Sequence, residues 1–446
     1  MRAPLLRAAS RAVALAFSMV SAACSSSPSV SSSSAQDGAA GDSPYPNGGQ
    51  GTSSGGTNEP GDDSGAGPSQ GQPGSGAITD AGASSDASSP SGEGGGTTVA
   101  TDSGSHPIAP GGYYVEGNTI YDSTGKAHLF HGVDRTSFEW NPEGQYIDAG
   151  DYTLMASGWD ANVVRIPIDQ DFWLTSSPIY SAGYAGVIDQ QVTDARAAGL
   201  DVILDLHWSD RGDISAASNS NLGTLPGQQC MADANSVTFW QEVATKYKGN
   251  GHVLFELYNE PHDISWNVWI GGGDTTSGDA GTCAYSFSAV GMQQLYDTVR
   301  GAGADNLVLV GGDNWAYDLS GVPGNRVDGY NVVYVSHVYH HNTGHDPSDW
   351  PTSWGFLTAT DPVMLTEFGP FSNQSNDVNC ELDYATEVLD YADMNNTSWS
   401  SWAWWVYNGG GTDDGSDYCD YPSILLTRTG SPNSLGQIVQ TRLQSY

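Results

Sequence analysis

A parallel eight-stranded (β/α)8 TIM barrel of the α/β class, preceded by a disordered low-complexity linker, is the fold this 446-residue sequence predicts. Three observations predict it. Eight short apolar runs recur after about residue 108. These runs are near-continuously apolar, as strands covered on both faces must be. Between them lie stretches whose apolar residues fall three or four apart, the spacing of a helix packed on a sheet. An open doubly wound sheet is the competing arrangement, but no glycine-rich phosphate loop follows the first strand.

Met1–Ala23 reads as an export signal. Arg2, Arg7 and Arg11 precede an apolar run, Ala12–Val20, too short to span a bilayer as a mature helix. The small residues Ser21, Ala22 and Ala23 lead into Cys24, so lipid attachment at Cys24 is expected. Residues 24–107 are dominated by Ser, Gly, Pro, Ala and Asp, contain no Lys or Arg, and have Tyr45 as their one aromatic. Such a stretch cannot bury enough apolar surface to offset its ordering entropy, and it reads as a disordered tether. Residues 108–446 form the expected catalytic domain, which reads as a monomer.

That domain opens with a small hairpin, Tyr113–Ile120 followed by Asp122 and Gly125. The barrel strands are then expected at His128–Asp134, Asn162–Ile166, Asp201–His207, Val253–Asn259, Asn306–Gly311, Val332–Tyr339, Pro362–Phe368 and Ser398–Trp405. Helices are expected at Tyr184–Ala198, Ser236–Tyr247 with Ser236 as N-cap, Phe287–Arg300, Cys380–Ala392 and Ser434–Leu443. Gly199 between Ala198 and the third strand is a helix C-cap signal.

Formal net charge is −37. This acidity argues against nucleic acid or an anionic membrane surface as partner and fits a protein acting on something neutral. Apart from Cys24, four cysteines remain, Cys230, Cys283, Cys380 and Cys419. Three pairings exist for two disulfides; Cys230–Cys283 and Cys380–Cys419 are favoured because each brackets one or two elements. No zinc-type spacing occurs, and neither metal nor cofactor is expected.

In barrels of this kind catalysis sits at the C-terminal ends of the strands. Arg165, His207 with Trp208, Asn259 with Glu260, His337 with Tyr339, Glu367, and Trp404 with Trp405 fall there. Buried charge is costly unless paired or used, so six polar strand ends point to chemistry. Outside them, the His340, His341, His345 and Asp346 loop and the Asp413, Asp414 and Asp417 loop read as solvated surface.

The segments RIP (Arg165–Pro167), DLHW (Asp205–Trp208), LYNEP (Leu257–Pro261), HVY (His337–Tyr339), TEFG (Thr366–Gly369) and WAWW (Trp402–Trp405) together resemble glycoside hydrolase family 5, the cellulase family, in the correct order from His128 to Trp405. The resemblance implies Glu260 as acid/base and Glu367 as nucleophile, with Arg165, His207, Asn259, His337, Tyr339 and a terminal Trp completing the site. Trp405 is taken for that Trp as the strand's last residue, with Trp404 as fallback. Arg165 would hold the Glu367 pKa down, Tyr339 would donate a hydrogen bond to it, and Asn259 would meet a sugar 2-hydroxyl. Of Trp140, Trp173, Trp208, Trp266, Trp269 and Trp315, about half are expected to pack the rim, with Trp208 and Trp315 chosen as sugar platforms. The expected activity is that of an exported retaining β-glycanase, foremost an endo-β-1,4-glucanase acting on β-glucan. β-Mannanase, exo-β-1,3-glucanase and xyloglucanase share its chemistry, and a non-catalytic glycan-binding protein is the reading from another class.

Overall fold

The structure is a computed structural model of the chain. It describes residues 107–209, 227–276, 281, 283–284, 286–340, 345–370, 382–406 and 423–446. Cys24, His341, Cys380, Cys419 and Asp413, Asp414 and Asp417 lie outside the described residues.

Eight parallel strands close into a barrel. In chain order they are β1 (His131–Asp134), β2 (Val163–Asp169), β3 (Asp201–Trp208), β4 (Val253–Glu256), β5 (Val308–Gly311), β6 (Val332–Tyr339), β7 (Val363–Gly369) and β8 (Ser398–Ser401). Each pairs with its sequence neighbours, and β8 pairs with β1 to complete the ring. The hairpin Tyr113–Glu116 and Thr119–Asp122 precedes them as an antiparallel pair.

Several expectations are corrected at element ends. The fourth strand stops at Glu256, so Asn259 and Glu260 lie beyond it. The second strand runs on through Pro167 to Asp169, so Arg165 sits within it and not at its end. The eighth stops at Ser401, four residues short of Trp405.

Helices cover the outside at Tyr184–Ala198, Ala234–Tyr247, Met292–Gly301, Leu382–Met394 and Ser434–Leu443. Gly199 ends the first of these with φ 95°, a left-handed cap that a Cβ would strain. The second is capped by Asp233, not Ser236. The Asp233 carboxylate accepts from the Asn235 and Ser236 amides, while the Ser236 hydroxyl accepts from the Asp233 amide in a reciprocal box. The Ser236 signal was therefore a real N-terminal signal, displaced by one turn.

The barrel interior is layered by chemistry. At its N-terminal end Phe130, Val163, Ile203, Leu254, Leu309, Val333, Val335 and Met364 fill it, and Tyr113 and Ile120 of the hairpin close the floor. Side chains two residues further along the same strands face the same way, because strand periodicity is two. Val163 is thus followed inward by Arg165, Ile203 by Asp205 and His207, Leu254 by Glu256, and Met364 by Thr366. A register shift between Ser336 and His337 brings His337 opposite Glu367; such bulges re-aim side chains next to active sites.

One disulfide, Cys230–Cys283, is formed among the described residues. It closes a segment with a sequence separation of 53, whose loss of unfolded-state entropy corresponds to about 4 kcal/mol in the chain-entropy account.

Candidate active site

Arg165 is the hub of the upper barrel. It is fully buried. Its Nε and NH2 donate to Glu256 at 2.7 and 3.2 Å, and its NH1 donates to Glu367 Oε1 at 2.6 Å and to Asp134 at 3.2 Å. NH2 also donates to Asn259 Oδ1 at 2.6 Å and lies 2.9 Å from Asp205. One guanidinium cannot hold four buried carboxylates ionised. Burial raises the pKa of Asp134 and Asp205 well above the ordinary range despite Arg165. Burial acts on Glu256 as well, but Arg165 overrides it and holds that group down to about 2.

His337 supplies the second positive charge. Burial opposes its protonation, but the Glu367 carboxylate, the Glu256 carboxylate 3.7 Å from Nε2 and the hydrogen bond to Glu260 push it up to about 10. Its contacts agree with an imidazolium. Thr366 donates its hydroxyl to Glu256 Oε1 at 2.8 Å, so its oxygen accepts from His337 Nε2 at 2.9 Å. Nδ1–H then faces Glu260 Oε1 at 2.9 Å.

The two glutamates part company in this field. Glu260 is raised to about 7, by burial first and then by the nearby Glu367 charge, against the lowering effect of His337. Glu367 is lowered: burial would raise it, but His337 and Arg165 prevail, and Tyr339 donates to its Oε2 at 2.8 Å. Arg165 and His337 therefore balance Glu256 and Glu367, with Asp134, Asp205 and Glu260 pushed toward their neutral forms. An oxygen of Glu260 lies within 4.8 Å of one of Glu367. Two carboxyls this close, one acidic and one ionised, can act on opposite faces of a sugar without a water between them.

His207 is neutral, driven down to about 3 by burial, and its Nδ1 meets Asp205 Oδ2 at 2.7 Å. Its ring stacks on Trp402 at 5.4 Å between centroids with planes 9° apart. Trp402 clusters with Tyr339 and Ala403, while Trp404 is buried against Trp159. Trp402 is thus the tryptophan that stacks on a polar residue of the site, and Trp405 packs, partly buried, against the Trp402 cluster. Because β8 ends at Ser401, strand alternation no longer governs which of the three aromatic rings faces inward. Trp405 is half-buried further out, packed by Trp140, Tyr146 and the Arg428 guanidinium.

Of the other tryptophans, Trp173 and Trp269 are buried, donating to Glu242 and to the Gly311 carbonyl, and Trp266 packs edge-on against Trp269. Trp140, Trp208 and Trp315 remain half-exposed. Trp315 stacks on His262 at 3.6 Å and is held in a left-handed turn, Asn314–Ala316, in which all three φ values are positive. In the loop after β6, His345 stacks on Tyr317 and His340 meets Asp346.

Sequence reasoning did not assign site roles to Asp134, Asp205, Glu256, Thr366, Trp402 and Gln228. Stepping two residues back from His207 finds Asp205, and stepping two forward from the buried Leu254 finds Glu256. Gln228 has no such signal; it donates through Nε2 to the Glu260 carbonyl at 2.7 Å and accepts from Asn259 Nδ2 at 2.7 Å. Among the described residues, the one trio of metal-ligand types close enough to hold a cation is Glu260, His337 and Glu367. A cation there would have to displace the His337 contacts to Glu260.

A family model described as Cellulase (glycosyl hydrolase family 5) matches residues 121–408. Endoglucanase N of Pectobacterium atrosepticum is 23% identical over 293 residues, covering 65% of this chain and 56% of its own length. Cellulase CelDZ1 of a Thermoanaerobacterium species is 25% identical over 301 residues, covering 64% and 68%. The chain spans about half the length of the first curated relatives it matches. A β-glucanase of Saccharophagus degradans solved with cellotetraose superposes with a TM-score of 0.56 at 21% identity, over 75% of this chain and 93% of that one. A hyperthermophilic endocellulase of Pyrococcus horikoshii gives 0.55 at 17%, over 76% and 99%. At these identities the two structures speak to the fold.

Proposed function

Because the chain belongs to the cellulase family, glycosyl hydrolase family 5, we propose that it is a retaining endo-β-1,4-glucanase working by double displacement. The observation that carries this reading is the pair Glu260 and Glu367, within 4.8 Å of each other and shifted in opposite directions. That separation favours retention, since inversion needs room for a water between the carboxyls. The endoglucanase and cellulase names of the relatives and the cellotetraose in the Saccharophagus structure support a β-1,4-glucan as substrate.

In the first step Glu367 attacks the anomeric carbon. Arg165 and Tyr339 hold its oxygens and keep it ionised. Glu260 gives its proton to the departing glycosidic oxygen. The His337 Nδ1–H faces one Glu260 oxygen and leaves the other for that proton. In the second step Glu260, now ionised, draws a proton from water, which displaces Glu367. Asn259 contacts the sugar 2-hydroxyl, while the half-exposed Trp208 and Trp315 offer apolar faces to neighbouring sugars.

The test is reducing-sugar release from carboxymethylcellulose, mannan, laminarin and xyloglucan, with product sizing and the anomeric configuration read by NMR. Internal cleavage of carboxymethylcellulose to β-configured oligomers is expected. Binding to these glycans with no release from any would replace the reading with a non-catalytic glycan-binding protein.

The pH profile follows from the same two groups. Activity needs Glu260 protonated and Glu367 ionised. kcat/KM is therefore expected to fall as pH rises through about 7 and to fall again at acid pH, below the ordinary carboxylate range, as Glu367 gains a proton. A profile still rising at about pH 9 would contradict both assignments.

Residues 1–23 are proposed to direct export, with lipid on Cys24 and residues 24–107 as the tether to a membrane surface. Expressed with its own leader in a bacterial host, the protein should sediment with membranes, and Cys24→Ser should free it. Equal partition of the two forms would remove the lipid from the account.

A further inference from the structure

Gln228 stands on the loop that returns from β3, and it touches the two residues at the acid/base end of the site. The directions of its two shortest hydrogen bonds, to Asn259 and to the Glu260 carbonyl, are fixed; a longer contact of Nε2 runs to His262 Nδ1 at 3.5 Å. Arg165 can only donate, so the atom of Asn259 that faces it is Oδ1. The opposite end of that amide, Nδ2, must then donate, and it meets Gln228 Oε1 at 2.7 Å. Gln228 consequently presents Nε2 on its other side, toward the Glu260 carbonyl, which can only accept. Each assignment forces the next, and no other orientation of the two amides satisfies all four groups.

Arg165 alone would hold Asn259 by one end. The outer torsion of an asparagine is soft and roughly two-fold, so one anchor leaves the amide plane free to swing. Gln228 supplies the second anchor from the opposite side. The two anchors settle where the other Nδ2 hydrogen points.

The backbone beneath Gln228 is itself braced. Gln229 donates to the Ser209 carbonyl at 2.6 Å, and the Tyr258 hydroxyl donates to the Gln229 carbonyl at 2.7 Å. Cys230 is bonded to Cys283, and its carbonyl accepts the His262 amide at 3.0 Å. A side chain used only to fill a loop would not need a shelf tied covalently on one side and hydrogen-bonded to Tyr258 and His262, two residues to either side of Glu260.

From this arrangement we infer that Gln228 is a positioning residue: it fixes the plane of the Asn259 amide and so aims its remaining N–H at the 2-hydroxyl of the sugar being cleaved. The inference rests on the reading of Asn259 as the 2-hydroxyl contact. Hydrogen bonds to that hydroxyl strengthen at the oxocarbenium-like transition state, so misaiming the amide should lower kcat more than it raises KM.

The test uses the full chain and two substrates, 4-nitrophenyl β-cellobioside and its analogue lacking the 2-hydroxyl on the sugar at the cleaved bond. Gln228→Ala is expected to lower kcat/KM on the first by about five- to tenfold, chiefly in kcat, and to change the second by less than about twofold. Added to Asn259→Ala, it should have no further effect. Gln228→Met, of similar volume, gives the same comparison if the alanine variant does not fold. An equal loss on both substrates, or a loss additive with that of Asn259→Ala, overturns the inference while leaving Asn259 in its role. If Asn259→Ala itself costs nothing on the first substrate, the reading of Asn259 fails, and the inference falls with it.

Discussion

Replacing Glu367 by glycine is expected to lower kcat on 4-nitrophenyl β-cellobioside by about 10⁴-fold or more while leaving the barrel folded. In the proposed mechanism this carboxylate forms the covalent bond, and among the described residues no other ionised oxygen is placed to take over. Glu256 is ionised too, but both of its oxygens are engaged, with Arg165 and Thr366. The fold should survive because Arg165 keeps Glu256, Asp134 and Asp205 as partners. Azide added to Glu367→Gly should occupy the vacated face and yield the α-glycosyl azide. Added to Glu260→Ala it should intercept the covalent intermediate from the other face and yield the β-glycosyl azide. A glycine variant retaining more than about a hundredth of wild-type kcat, or the two azides appearing in the reverse assignment, would require the roles to be redrawn.

Arg165→Met is expected to have the largest effect on stability, about 3–5 kcal/mol, although methionine nearly matches the buried stem in shape. Its removal leaves four buried carboxylic groups facing one another around His337. The sign of the pH dependence is set by linkage. In the native protein Glu256 and Glu367 have depressed pKa values, so their contribution is present above their unfolded values and fades as pH falls toward the folded ones. Without Arg165 the same groups are raised by burial and destabilise the fold wherever the unfolded chain ionises them. The gap between variant and wild type should therefore be widest near neutral pH and should narrow below about pH 4. Urea unfolding across that range measures it. A small difference, or one independent of pH, would show that Arg165 is not the electrostatic hub.

The barrel was legible because its strands are uniform. Each apolar run is buried on both faces, and the helices between them show plain three-to-four spacing. The polar groups at the strand ends were legible for a related reason. Arg165, His207, Glu260, His337 and Glu367 interrupt apolar runs where nothing but a site or an ion pair would hold them. What escaped did so for physical reasons. The second strand was expected to end at Ile166, but the ladder runs on through Pro167, which faces Asp205 across the pair. Trp402, Trp404 and Trp405 could not be told apart, because which one faces inward is decided by a chain that has already left the strand. Gln228 lies 31 residues before Asn259 in sequence, and only the pairing of β3 with β4 brings the two together.

The layering of the interior has a consequence for how the strands find their partners. A slip of one residue would turn every apolar side chain outward and is excluded on that ground alone. A slip of two is the subtler error, because it preserves the inside–outside pattern. Here it would drive Arg165, Asp205 or Glu256 down among Phe130, Leu254 and Val335, where no water or counter-ion waits for them. Arg165, Asp205 and Glu256, which surround the proposed catalytic pair, thus also act as stops on the ladder: burying them two residues deeper without partners is expensive, so the floor of the candidate site doubles as the ruler by which the barrel measures its own register.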